Sequence, residues 1–130
     1  SYLCKSLLLS EGTRHIEEGF YVSPDNILGR LLNKRKPRGL IGSNMSFSRK
    51  AIEDLNGFDE DFILPAIGED ADLNWRFRAA GYQFRSVRNL AIQYHLFHKE
   101  NWKDQSENAA LMELKIAKNE FRCKNGLKKM

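Results

Sequence analysis

Between Pro65 and Gly81 the chain has to end one structure, start a helix and end that helix again, which leaves little freedom for what surrounds it. Pro65 and Gly68 interrupt any regular element arriving from the N-terminal side. Glu69, Asp70 and Asp72 then place three carboxylates within four residues, and Leu73, Phe77 and Ala80 follow at helical spacing. Gly81 supplies a left-handed stop. Acidic groups in a first turn face unpaired backbone N–H groups, which is first of all an ordinary cap and secondarily a way of presenting carboxylates to a ligand. Trp75 falls on the side opposite Leu73 and Phe77, where it packs on a neighbouring element or lines a cleft.

The flanking segments suggest an alternation of helices and strands. Ser23-Pro24-Asp25 is a helix start, and Ile27, Leu28, Leu31 and Leu32 form one apolar face behind it. The basic run Lys34 to Arg38 closes that helix as a loop. Leu40 to Phe47 alternates, with Ile41, Met45 and Phe47 on one side and Gly42, Asn44 and Ser46 on the other, which predicts a strand with one small polar face. Ser48 caps a helix over 49–55 that turns Ala51, Ile52 and Leu55 inward and stops at Asn56-Gly57. Tyr82 to Val87 and Leu90 to Phe97 read as two further strands joined near Arg88-Asn89. A last helix from about Asp104, with Glu107 as a capping-box partner, carries Ala110, Leu114, Ala117 and Phe121 on one face. Over residues 3 to 22 the periodicity does not decide between helix and strand.

A length of 130 residues with 42% hydrophobic and 29% charged residues is that of one soluble globular domain. No apolar run approaches the roughly 18 residues needed to span a bilayer, and Leu7-Leu8-Leu9 is too short for a signal-peptide core. The net charge of +4 comes mainly from Lys34 to Arg38 and from the tail between Arg122 and Lys129. These are either solvated segments or attachments for anionic lipid head groups. Cys4 and Cys123 lack paired spacing and point to free thiols in a reducing, cytoplasmic compartment, with a single bridge as the alternative, while the basic segments allow contact at the inner face of the membrane.

Several side chains could carry chemistry. His95 and His98 lie three apart and suit a metal, with Glu69, Asp70 and Asp72 as the available carboxylates. Asp-x-Asp occurs at Asp59 to Asp61 and at Asp70 to Asp72, a pattern that can hold a divalent ion with a nucleotide diphosphate. There is no glycine-rich phosphate loop, serine elbow or zinc-finger spacing.

The order of the pieces adds more than any one of them. Gly42-Ser43-Asn44-Met45-Ser46-Phe47-Ser48-Arg49, then Asn56-Gly57-Phe58-Asp59-Glu60-Asp61-Phe62, then Gly68-Glu69-Asp70-Ala71-Asp72-Leu73-Asn74-Trp75-Arg76, then Ile92-Gln93-Tyr94-His95-Leu96-Phe97-His98 resembles the C-terminal half of family 2 glycosyltransferases. It is similar also to the galactosyltransferase C-terminal segment, over roughly residues 24 to 100. The resemblance implies an α/β fold, the C-terminal portion of the GT-A (nucleotide-diphospho-sugar transferase) fold, with a small sheet flanked by helices. It implies one acceptor-side domain over 1–130, with a core at 24–100, a terminal helix at about 104–122 and the nucleotide-binding N-terminal half absent. The activity implied is inverting transfer of a sugar from a nucleotide-sugar donor to a saccharide acceptor hydroxyl, in the full-length enzyme, with Mn or Mg as divalent metal.

By the same resemblance Asp70 is the catalytic base, Glu69 holds the acceptor, and Asn44 and Trp75 contribute to substrate binding. His95 is the metal ligand, with His98 as the alternative. Asp59 to Asp61 matches a later block than the metal-binding Asp-x-Asp, so the metal role is not carried over to it. Two other readings stay open: a non-catalytic accessory domain that binds glycans or a membrane surface, and a small metal-dependent hydrolase using His95, His98 and Asp70. No nucleic acid partner is expected, while self-association through exposed apolar surface is.

Overall fold

The computed structural model describes residues 15–64, 67–95 and 104–130. Cys4, the apolar run at residues 7–9, His98 and Trp102 lie outside the described residues. The chain divides into two compact units, Ser1–Pro37 with Arg85–Asn101, and Arg38–Phe84 with Trp102–Met130.

In the first unit a single 3-10 turn, Ile16–Glu18, precedes helix α1, Ile27–Asn33. The cap of α1 is Asn26, whose side chain accepts the Gly29 N–H at 2.7 Å, one residue beyond the expected Ser23-Pro24-Asp25 start. The expected turn near Arg88-Asn89 is present and is the organiser of this unit. Asn89 adopts a left-handed φ of 64°. It is buried, its Nδ2 donates to the carbonyls of Glu17 and Phe20 at 2.8 and 2.9 Å, and its Oδ1 accepts from Arg35 Nη2 at 2.6 Å. One asparagine thus satisfies backbone from a segment some 70 residues away, because a short amide tolerates the left-handed region and offers both donors and acceptor.

In the second unit α2, Arg49–Asp54, is capped by Ser48, which accepts the Ala51 N–H at 3.2 Å. A π-helical turn, Ile67–Ala71, runs into α3, Asp72–Ala79, and α4 covers Ser106–Ala117. Three of these helices end alike. Asn56 (φ 65°), Gly81 (φ 84°) and Asn119 (φ 53°) take the left-handed position. The next residue's N–H returns to the helix: Gly57 to Ile52, Tyr82 to Phe77 and Glu120 to Lys115, at 2.8 to 3.0 Å. This satisfies carbonyls that a helix end leaves open. The core is Ala51, Leu55, Leu73 and Phe77, with Leu40, Met45, Ile52, Ala80, Tyr82, Phe84 and Phe121 against it. The inward faces expected for α2 and α3 are therefore the observed ones.

The expectation of an α/β fold is overturned. Among the described residues there is no strand and hence no sheet flanked by helices, only an isolated bridge between Asn125 and Lys129. The alternating segments at 40–47, 82–87 and 90–95 are extended or turned, and 96–97 lie outside the described residues. Alternation selects an extended backbone, but a strand also needs a partner ladder. Here the Leu40 N–H goes to Asn74 Oδ1 at 3.3 Å and the Gly42 N–H to Asp70 Oδ2 at 3.1 Å. Side chains four apart, one in the π turn and one in α3, match N–H groups two apart on the extended segment, because both spacings cover about 6 to 7 Å.

The last helix also differs from expectation. Asn108 and Lys115 are its buried residues, while Leu114 is 51% exposed. No capping box forms; Asp104 instead accepts the Ser106 N–H at 3.0 Å. No helix among the described residues is long and apolar enough to cross a membrane.

Candidate functional site

Arg76 anchors the second unit from inside. Its side chain and that of Asp72 are fully buried, one helical turn apart, with Nη1 to Oδ2 at 2.9 Å. The remaining guanidinium donors go to the carbonyls of Phe121 at 2.9 Å, Gly57 at 3.0 Å and Leu55. The fork of the guanidinium ties α3 to the end of α2 and to the C-terminal segment. Burial pushes the Asp72 carboxyl above its ordinary range, opposed by Arg76. Trp75 is half-buried and donates its indole N–H to Asp72 Oδ1 at 3.1 Å.

Asn56 does for the C-terminus what Asn89 does in the first unit. Its Nδ2 donates to the carbonyls of Cys123 and Lys128 at 2.9 and 2.8 Å, and its Oδ1 accepts the Lys128 N–H at 2.9 Å. Cys123 is thereby held with its Sγ 3.5 Å from the Asn56 carbonyl oxygen, and burial raises its thiol pKa.

The π turn brings Glu69 and Asp70 to Gly42, whereas Asp72 goes to Arg76. A methyl group built on Gly42 would sit 3.6 Å from Glu69 Oε2 and 3.9 Å from Asp70 Oδ2, so the two carboxylates converge on one point of the backbone. Asp70 is half-buried and Glu69 exposed. A cleft of about 440 Å³ opens there, lined by Gly42, Met45, Phe58, Asp59, Glu60, Phe62 and Glu69. Carboxylates beside aromatic faces can accept hydrogen bonds from hydroxyl groups and cover the apolar face of a ring.

The wall of the cleft is braced by charge. Lys115 Nζ reaches Asp59 Oδ2 and Asp61 Oδ2, both at 2.6 Å, with the Asp59 side chain fully buried. The first Asp-x-Asp pair therefore meets an ammonium group, while the second pair splits, Asp70 toward Gly42 and Asp72 toward Arg76. Lys115→Met strands the Asp59 carboxylate and is expected to lower stability by about 3 kcal/mol, read as a lower urea midpoint. An unchanged midpoint would show that the bond adds nothing in solution.

The brace also sets a pH dependence. The Lys115 hydrogen bond holds the Asp61 carboxyl below its usual range. Burial would lower Lys115, but the hydrogen bonds of Asp59 and Asp61 outweigh it and hold the ammonium above the ordinary lysine value. The acid with a depressed folded pKa contributes stability above its unfolded value and loses it as pH falls through the folded one. The base with a raised folded pKa contributes below its unfolded value and loses it as pH rises through the folded one. Docking of α4 is expected to be strongest between the carboxylate and lysine ranges and to weaken on both sides, as followed by thermal melts across pH.

Of the other residues singled out in the sequence, Asn44 is exposed in the turn after Ile41, with its N–H on the Ile41 carbonyl at 2.9 Å. His95 is exposed and belongs to the first unit. It is not part of any group of three His, Cys, Asp or Glu ligands among the described residues; the group found there is His15, Glu17 and Glu18. Glu18 in that group is already bound to Arg88 at 3.0 Å. Residues that sequence reading missed are Arg76, whose signal would have been a cation placed on the core side of its helix, and Lys115, which lies off the apolar face expected for its helix and carries no local signal.

No curated protein and no solved structure matches the chain. A family does match, and it is described as the N-terminal domain of galactosyltransferase, whereas the sequence blocks resemble a C-terminal half; the galactosyltransferase kinship is common to both. The match runs over residues 30–99, more than half of the chain, and takes in Gly42, Asn56, the aromatic wall and the carboxylate turn. By that match the chain belongs to the family of the N-terminal domain of galactosyltransferase, a glycosyltransferase-type domain.

Proposed function

We propose that this chain is the acceptor-side part of an enzyme related to family 2 glycosyltransferases, which transfers a hexose from a nucleotide-sugar donor to a saccharide hydroxyl with inversion. The observation that carries the reading is the convergence of Glu69 and Asp70 on Gly42, where Gly42 and Glu69 line the cleft and Asp70 stands beside them, inside the span that matches the family. In the reaction the acceptor oxygen forms a bond to the anomeric carbon as the bond to the diphosphate breaks on the opposite face. The electron pair leaves with the nucleoside diphosphate, and the acceptor proton passes to Asp70, which returns it to solvent. Glu69 fixes the acceptor hydroxyl, and Asn44 and Trp75 contribute to substrate binding.

Metal dependence is part of the proposal and rests on the resemblance; His95 is the ligand it names. The test is turnover of a panel of nucleotide sugars with saccharide acceptors by the native full-length protein, with and without chelator. Transfer that yields the inverted anomer and stops on chelation is expected. His95→Ala should then raise the metal concentration for half-maximal rate by more than about tenfold. Absence of transfer from every donor in the panel would sink the reading.

A further inference from the structure

Helix α1, Ile27–Asn33, is turned outward. At 3.6 residues per turn, Ile27, Leu28 and Leu31 fall on one side of it, the usual core side of a short amphipathic helix. Here they are 81%, 56% and 60% exposed. The inward side is Gly29, where an added Cβ would lie 1.9 Å from the Ser23 carbonyl oxygen, so that side has no room for a side chain. Arg30 and Lys34, one turn apart, border the apolar side, and Lys36 follows; all three are exposed. Arg35 is drawn inward instead, to the Leu32 carbonyl at 3.0 Å and to Asn89.

We infer that this face docks on an anionic lipid surface, with Ile27, Leu28 and Leu31 entering the boundary between head groups and acyl chains and Arg30, Lys34 and Lys36 lying among the lipid phosphates. The charge argues for this occupant. All three flanking groups are cations, which complement a surface of one negative sign. A second copy of the chain meeting this face about a two-fold axis would set the same cations against each other. Seven residues also present far less than the ~1,000 Å² that a specific protein interface needs, whereas a bilayer accepts a small apolar insertion supplemented by charge. The inference is independent of sugar transfer, since none of these residues belongs to the carboxylate cleft.

The test is co-sedimentation of the 130-residue chain with phosphatidylserine–phosphatidylcholine vesicles and with pure phosphatidylcholine vesicles. Binding is expected to the anionic vesicles, weakened by salt and at least about tenfold poorer on the neutral ones. Arg30→Gln, Lys34→Gln and Lys36→Gln should each lower affinity by about fivefold. The double change Ile27→Ser with Leu31→Ser should lower it by about tenfold or more, with an unaltered circular dichroism spectrum because both side chains are solvent-facing. Absence of binding to anionic vesicles overturns the inference, as does binding that the double change leaves untouched. A concentration-dependent dimer that the double change abolishes, without vesicle binding, would assign the face to a second copy instead.

Discussion

Arg76→Met is expected to lower stability by about 3–5 kcal/mol, the largest single loss available in the second unit. The substitution keeps much of the side-chain length, so the loss is not mainly one of volume. It leaves the Asp72 carboxylate buried without its cation and takes donors from the carbonyls of Leu55, Gly57 and Phe121 together. Against a total stability of roughly 5–15 kcal/mol for a domain, this should bring the protein near its unfolding threshold at ambient temperature. The urea midpoint gives the magnitude, and a second variant gives the cause. Asp72→Leu combined with Arg76→Met removes the stranded charge and should recover part of the loss, since an apolar pair can replace a buried ion pair. If the single variant unfolds at the wild-type midpoint, the guanidinium is not the anchor its contacts suggest.

Asp70→Asn is expected to cut the turnover number of the full-length protein by about 10² to 10⁴, the range for loss of a general base. The change is chosen to separate charge from structure. Asparagine still offers an oxygen to the Gly42 N–H, so the extended segment stays on the π turn. KM values for donor and acceptor should move little, because the group acts on a proton in transit. Glu69→Gln should behave in the opposite way, raising the acceptor KM more than it lowers turnover. A turnover number for Asp70→Asn within threefold of wild type, ~0.6 kcal/mol in barrier, would remove Asp70 from the reaction.

The elements that could be read in the sequence are those whose signals are local. Ser48 caps its helix, Asn56-Gly57 and Gly81 end theirs, and Leu73 and Phe77 face inward, because caps, left-handed stops and helical periodicity involve only near neighbours. The three strands failed because an extended backbone becomes a strand only when another segment supplies the ladder. At Leu40 and Gly42 the partners are side chains of Asn74 and Asp70. Lys115 was illegible for a related reason: in sequence it is a solvated lysine, and its burial depends on Asp59 and Asp61, more than 50 residues away. The apolar face of α1 was visible, but its direction was not, since inward and outward faces have the same pattern.

The carboxylate site divides in the same way. The resemblance picks out Glu69 and Asp70, yet their meeting at Gly42 is a property of the π turn. Such a turn carries one residue more than the α-helical repeat. It sets Glu69 and Asp70 toward Gly42 while Asp72, two positions on, points into the core.

Cys123 gives the molecule an internal clock. Its thiol is 1% exposed beneath the carbonyls of residues 55–58. An alkylating reagent can reach it only when the last eight residues peel away from Asn56. In a Cys4→Ser background, the rate at which the mass of one adduct appears would count those openings under native conditions. Asn56→Ala, which removes three hydrogen bonds from that strap, should make the clock run faster.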